Sequence, residues 1–279
     1  MENKNFILNA DGFGLSKHEN QAVLEGYING FLTSASLCVN SDAFNSAVHD
    51  IIPDCPNLGV GIQLNILTNK ALTPCSLLTN SNNEFDKSFW YVFFNRKKQE
   101  LLTQIETEFK AQIEKAKNET KICHINSKGH IHAIPEVFEI VCKLATEYDI
   151  PYIRTCFEEL YFVPQIITHI NLTYFRNLIT WGFLQRFSKH NKKIAKKYNI
   201  KTNDYIIGIN YKNLMSKEAI ESGLRMLDQD CIVECVINPC KYGKTRNNRT
   251  EEFLLTQDMT FKDTISRLGY NLTNYKTLN

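Results

Sequence analysis

Short apolar runs alternate with longer stretches of helical spacing along most of the chain, and this pattern most restricts what it can fold into. Phe6-Ile7-Leu8 comes first, followed by Ala22, Val23, Leu24, Tyr27 and Ile28 at helical intervals. Ala35-Ser36-Leu37-Cys38-Val39 and Val60-Gly61-Ile62-Gln63-Leu64 are the next two strand candidates. A long amphipathic stretch from Lys97 to Lys117 carries Leu101, Leu102, Ile105, Phe109 and Ile113 on one face. Ile122-Cys123-His124-Ile125 predicts a fourth strand, and a helix begins near Pro135, a residue suited to a first helical turn. Tyr152-Ile153-Arg154, Tyr205 to Ile209 and Cys231 to Ile237 predict three more strands. Strands that alternate with helices are joined by crossovers and run parallel. The expected fold class is therefore α/β, a (β/α) barrel-type architecture of about seven parallel strands.

A length of 279 residues accommodates one such barrel, so residues 1–279 are read as a single domain. A helical basic insertion is expected around 160–203. It holds Phe175, Leu178, Ile179, Trp181, Phe183, Leu184 and Phe187, then Lys189, His190, Lys192, Lys193, Lys196 and Lys197. One reading packs this segment on the barrel with a solvated basic end. The sharper one is peripheral membrane contact, with the basic segment 186–201 against anionic lipid.

No basic n-region precedes a long apolar core at the start, and no run approaches the roughly 18 apolar residues of a spanning helix. The nine cysteines are odd in number and widely spaced, which suits reduced thiols in a cytoplasmic protein better than a disulfide framework. Cys231, Cys235 and Cys240 lie on or near a strand and read as small core residues. A net charge of +2 gives no reason to expect a nucleic-acid partner.

In parallel barrels the chemistry sits where strands end and loops begin. That rule selects the loops after Leu8, Leu64, Ile125 and Ile237. Asp11 follows the first strand, as a general base at the barrel mouth or as a turn cap. His130 and His132 are two apart beside Lys128. On an extended chain both would face one side, as acid–base groups, metal ligands, sugar contacts or packed histidines.

These loops also carry a resemblance. Asn9-Ala10-Asp11-Gly12-Phe13-Gly14, Leu32 to Asn40, Val60 to Asn65, His124 to His132, Ile150 to Arg154 and Val236 to Pro239 are similar, in order, to blocks of the YdjC-like (ChbG/HpnK) carbohydrate deacetylases. The resemblance runs to about Tyr275. It implies a deacetylase-like distorted barrel, removal of acetyl groups from N-acetylated sugars, and a divalent metal held by Asp-His-His beside an Asp base and a late His acid. In this chain the family's ligand positions fall on Gly12, Gln63 and Lys128, its late His on Asn238, and the Asp of its strand-end motif on Asn126. Asp11 matches the base. Gly12 offers no side-chain ligand, and an amide oxygen is a poor substitute for imidazole on zinc. An ammonium at ~4 Å repels each unit of like charge by about 4 kcal/mol at an effective dielectric of 20.

The expectation is therefore a carbohydrate-processing protein without a cofactor or metal, with an altered site centred on Asp11 and Lys128, in which Lys128 takes the metal's place and pairs with Asp11. His130 and His132 are the other catalytic candidates. Asn9, Gln63, Asn65, Asn126, Arg154 and Asn238 are the candidate substrate-binding residues. The expected partner is a small sugar or a lipid-linked sugar. The alternative is a catalytically inactive relative that binds such a sugar without cleaving it.

Overall fold

A computed structural model describes residues 4–164, 171–227, 230–241 and 247–278. Eight strands run in chain order: β1 (Lys4–Phe13), β2 (Ser34–Leu37), β3 (Gly59–Leu64), β4 (His124–Ser127), β5 (Tyr152–Ile153), β6 (Tyr205–Ile207), β7 (Cys231–Ile237) and β8 (Tyr270–Leu272). The first seven form one curled sheet in the order β5-β4-β3-β2-β1-β7-β6, and every pairing is parallel. The two edges of this sheet approach one another. Thr155 N–H donates to Asn203 Oδ1 at 2.6 Å, Asn203 Nδ2 donates back to the Thr155 carbonyl at 3.0 Å, and Ile206 N–H reaches the Phe157 carbonyl at 2.8 Å. The barrel of about seven parallel strands is thus present, distorted where β5 and β6 meet through side chains and single bonds rather than a continuous ladder.

The eighth strand was not expected. It pairs with the start of β1, Lys4 opposite Tyr270 and Phe6 opposite Leu272. The chain beyond it carries Tyr275, whose hydroxyl donates to Glu234 Oε2 at 2.8 Å.

Helices cover the outside of the sheet: α1 (Lys17–Ile28), α2 (Phe89–Asn95), α3 (Gln99–Glu119), α4 (Pro135–Glu147), α5 (Leu172–Lys197), α6 (Lys217–Arg225), α7 (Asn248–Thr256) and α8 (Met259–Arg267). The α3 helix buries Leu101, Ile105, Phe109 and Ile113, four of the five positions its spacing predicts. Pro135 stands at the start of α4 as expected. The helix of the 160–203 segment is α5, which connects β5 to β6 and buries Tyr174, Leu184, Ser188, Asn191 and Ala195. Residues 165–170 of that segment lie outside the described residues.

Strand residues alternate between two faces. Phe6, Leu8, Ala35, Leu37, Val60, Ile62, Ile125, Ile153, Val233 and Cys235 belong to the large apolar core. The alternate positions Asn9, Asp11, Ser34, Ser36, Gln63, His124, Asn126 and Glu234 are buried and polar. The barrel is therefore apolar outward, toward the helices, and polar inward. A buried polar group costs about 1–3 kcal/mol if left unpaired, so the interior must be a bonded network. Asn9, Asp11, Ser36, His124 and Asn126 are bonded to one another, Ser34 donates to the Gly59 carbonyl, Gln63 accepts from the Cys38 thiol, and Asn126 Oδ1 is an exception left without a partner.

Candidate functional site

Arg154, at the end of β5, is fully buried and supplies the centre of that network. Its Nη1 and Nη2 grip the two oxygens of Asp11 at 2.9 and 2.8 Å, while Nε and Nη2 hold Glu234 at 3.0 and 2.5 Å. Asn9 and Asn126 each donate a further bond to Asp11 Oδ1, at 2.9 and 3.2 Å. Parallel register brings these groups together: Asp11 lies opposite Ser36, and Gln63 opposite Asn126. The carboxylate expected to pair with Lys128 is instead satisfied by Arg154 from below.

Above this network a cavity of about 190 Å³ opens at the carboxyl ends of the strands. Its walls include Asp11 and Gly12 near the end of β1, Gln63 near the end of β3, Lys128 and His130 after β4, and Asn238 after β7, so the four expected strand ends contribute, β1 and β3 from within the strand itself. Lys212, from the loop after β6, and Arg249, near the start of α7, line it too, and sequence reasoning missed both. Lys212 was missed because the loop after Ile209 was not selected, although the rule that chose the other four loops applies equally to it. Arg249 reaches the cavity from a helix, where no strand-end signal marks it. Its guanidinium meets Glu19 at 2.7 Å, and its Nε donates to the Asn238 carbonyl at 3.0 Å.

The His loop is not extended. Residues Lys128–Ala133 form tight helical turns, and Gly129 and His130 take left-handed φ of 62° and 57°. The two histidines therefore separate. His130 faces the cavity, its Nδ1 3.5 Å from Cys156 Sγ. His132 is fully buried and is not among the residues that line the cavity. Its Nε2 lies 3.0 Å from the Arg154 carbonyl, which can only accept, so Nε2 carries the proton. Its Nδ1 then accepts from the Ser127 hydroxyl at 2.6 Å. His132 thereby fixes the backbone of Arg154. Burial, helped by Arg154, pushes its pKa down to about 3, so the ring is neutral. Burial, then Lys212 and Arg154, pushes His130 well down too.

Asn65 also lies outside the cavity walls. Its Nδ2 donates to Asn40 Oδ1 and the Thr68 carbonyl, and its N–H donates to Gln112 on α3, so it ties down the loop after β3. Asn9, Asn126 and Arg154 act beneath the cavity, by holding Asp11. Glu234 was missed as a partner. Its signal was a lone charge in the middle of the apolar run Cys231 to Ile237, which a buried strand tolerates only with a bonded counter-charge.

The three positions at which the resemblance would put metal ligands do converge on this cavity. Their chemistry does not fit a divalent cation. Gly12 has φ +88°, and a Cβ there would come within 2.9 Å of Leu15 Cδ1. Gln63 Oε1 accepts from the Cys38 thiol at 3.1 Å. Lys128 brings a positive charge. Among the described residues, no group of three or more His, Cys, Asp or Glu stands ready to hold a metal ion.

A second cavity, also of about 190 Å³, adjoins the first through Gly129 and Lys212. Phe89 and Trp90 of α2 and Phe183 of α5 wall it, with Trp90 and Phe183 edge to face at 5.1 Å.

Comparison with known proteins agrees with this architecture. A carbohydrate deacetylase of Clostridium beijerinckii is 34% identical over 162 residues, 56% of this chain and 62% of the relative. One from Geobacillus stearothermophilus is 35% identical over 148 residues, 52% and 57% of the two chains. These matches span less than two thirds of either relative's length. A chitooligosaccharide deacetylase of Proteus mirabilis aligns over 277 residues, 98% of each chain, at 27% identity. A solved structure from Enterococcus faecalis V583 superposes with a TM-score of 0.76 over 99% of both chains at 22% identity, and so shares the fold. The profile of the YdjC-like proteins matches residues 5–267, nearly the whole chain, and the chain belongs to that family.

Proposed function

We propose that this chain processes an N-acetylated carbohydrate by amide hydrolysis of the deacetylase kind, at a site that does not use the family's metal positions. The observation that carries the reading is the cavity at the barrel mouth, where Asp11, Gln63, Lys128, His130 and Asn238 meet. A polar cavity beside an aromatic groove suits a sugar, which presents hydroxyls at its edges and C–H bonds on its faces. Lys128 would act as a fixed positive charge on the acetamide carbonyl, as preorganised charge does in other acyl transfers. His130 is the neutral imidazole facing the cavity, and it can take a proton from water. Burial beside Lys212 and Arg154 makes it a weak base, so turnover would be slow. Asp11 would position rather than deprotonate, because Arg154 holds both of its oxygens.

That same clamp favours a second reading, an inactive relative that binds the sugar without cleaving it. Acetate release from N,N′-diacetylchitobiose, with calorimetric titration of the same sugar, decides between them. Release that is lost in Lys128→Ala and His130→Ala supports hydrolysis. Binding without release selects the second reading. Neither binding nor release would overturn both.

A lipid-linked sugar and a peripheral membrane contact belong to the same proposal. The outward side of α5 exposes Leu172, Phe175, Ile179 and Phe183, then Arg186, Lys189, His190 and Lys193. Among the described residues, no helix is long and apolar enough to cross a membrane. Co-sedimentation with anionic phosphatidylserine vesicles tests the contact, and its absence at low salt would remove it. Nine buried cysteines suit a cytoplasmic location.

A further inference from the structure

Where the family resemblance would put a divalent cation, this chain gathers cations of its own. Lys128, Lys212 and Arg249 line the same cavity, with Asp11 as the one carboxylate among the lining residues. Two of these four charges are neutralised at once: Arg249 by Glu19 at 2.7 Å, and Asp11 by Arg154 at 2.8 Å. Lys128 and Lys212 have no carboxylate within ion-pair distance among the described residues. Gly12 adds no side chain to this wall, and a Cβ built there would lie 2.9 Å from Leu15 Cδ1 and 4.0 Å from Arg249 Nη2. Glu252 lies close enough to Arg249 and Lys212 to feel their charges, outside ion-pair distance of Lys212, and its Oε2 accepts from Asn238 N–H at 2.5 Å.

We propose that this cavity is an oxyanion site, and that the carbohydrate it takes carries a carboxylate or a phosphate held between Lys128 and Lys212. Like-charged ammonium groups facing a shared cavity repel one another unless an anion sits between them. Two ammonium groups offer six N–H donors to an anion's oxygens. The proposal rests on the second reading of this site, a sugar bound without cleavage, because an anion held at Lys128 takes the place there of the acetamide carbonyl. It turns the mismatch at Gly12, Gln63 and Lys128 into a change in the sign of what is bound, from a cation to an anion.

The test is calorimetric titration of the full chain with inorganic phosphate and, separately, with acetate, at low and at high sodium chloride. At least one anion should bind at low salt and weaken as salt rises. Affinity should fall at least tenfold in Lys128→Ala/Lys212→Ala and stay within about threefold in Lys128→Arg/Lys212→Arg, which keeps both charges. Tighter phosphate would point to a phosphate monoester and tighter acetate to a carboxylate. No binding of either anion, or binding unchanged in the alanine pair, would overturn the proposal. Anion binding is read without any sugar present. Its failure therefore leaves the carbohydrate reading standing, and a chain that bound phosphate but no N-acetylated sugar would fail that reading alone.

Discussion

Arg154 and Asp11 meet side-on beneath the cavity, Nη1 to Oδ2 at 2.9 Å and Nη2 to Oδ1 at 2.8 Å, while the remaining edge of the guanidinium holds Glu234. One cation thus serves two buried carboxylates drawn from β1 and β7. Removing it would strand both, a loss of about 3–5 kcal/mol for a broken buried pair. Arg154→Met should lower stability by that amount in urea denaturation. Arg154→Lys should recover little, since a single ammonium cannot reproduce two forked contacts. A fully stable Arg154→Lys variant would show that charge alone, without the planar fork, holds the network.

Stability should depend on pH through groups of opposite sign. His124 and His132 are each pushed down to about 3, first by burial and then by Arg154. The unfolded chain takes up those protons near 6.5, so it binds more protons between the two values. Their contribution is complete above pH 6.5 and is lost as pH falls toward 3, by roughly 1.4 kcal/mol per unit for each ring. Burial pushes Glu158 up from 4.5 to about 7, so there the folded chain binds more protons, and stability declines as pH rises across that window. Urea midpoints at pH 5, 6 and 7 should therefore climb more steeply in Glu158→Gln than in the wild type. Equal slopes would remove Glu158 from this account.

Gly61 is required for space rather than for its backbone angle. A Cβ there would meet three atoms of the His124 ring at 2.2–2.4 Å. Gly61→Ala should destabilise by about 1–3 kcal/mol through overpacking. Adding His124→Ala should recover part of that loss. Strictly additive losses in the double variant would mean that the two side chains do not compete for one space.

The donor set predicts weak metal affinity. Titration of zinc into the wild-type chain should show no near-stoichiometric tight site at the barrel mouth. Gly12→Asp/Leu15→Ala/Gln63→His/Lys128→His, which supplies three ligands and removes the Leu15 side chain, should create one. Tight, stoichiometric zinc in the wild type that survives Lys128→Ala would place the metal elsewhere.

The aromatic groove predicts a length preference. Trp90 edges Phe183 at 5.1 Å beside the polar cavity. Trp90→Ala should weaken N,N′-diacetylchitobiose binding about three- to tenfold, the value of one aromatic contact. N-acetylglucosamine alone should be little affected. Equal losses for both sugars would place the indole beside the first ring.

The strand–helix alternation alone determined the parallel barrel and all seven strands of its main sheet, because short apolar runs between amphipathic helices have few other ways to bury their surface. The strand-end rule also picked out the segments that hold Asp11 and Lys128, the family resemblance added Gln63 and Asn238, and all four line one cavity because strand ends in such a barrel share one rim. The tertiary structure decided their partners. Asp11 went to Arg154 rather than Lys128, because β5 brings the guanidinium up through the polar interior of the barrel while Lys128 sits above on the rim. His132 turned inward and His130 toward the cavity, because two left-handed residues break the extended spacing that would have set them side by side. Lys212 and Arg249 joined from parts of the chain more than 80 residues from Lys128, a proximity that local periodicity does not encode. Local pattern sets which way a segment folds, but the charge of a cavity is a sum over segments, and only the closed barrel adds them together.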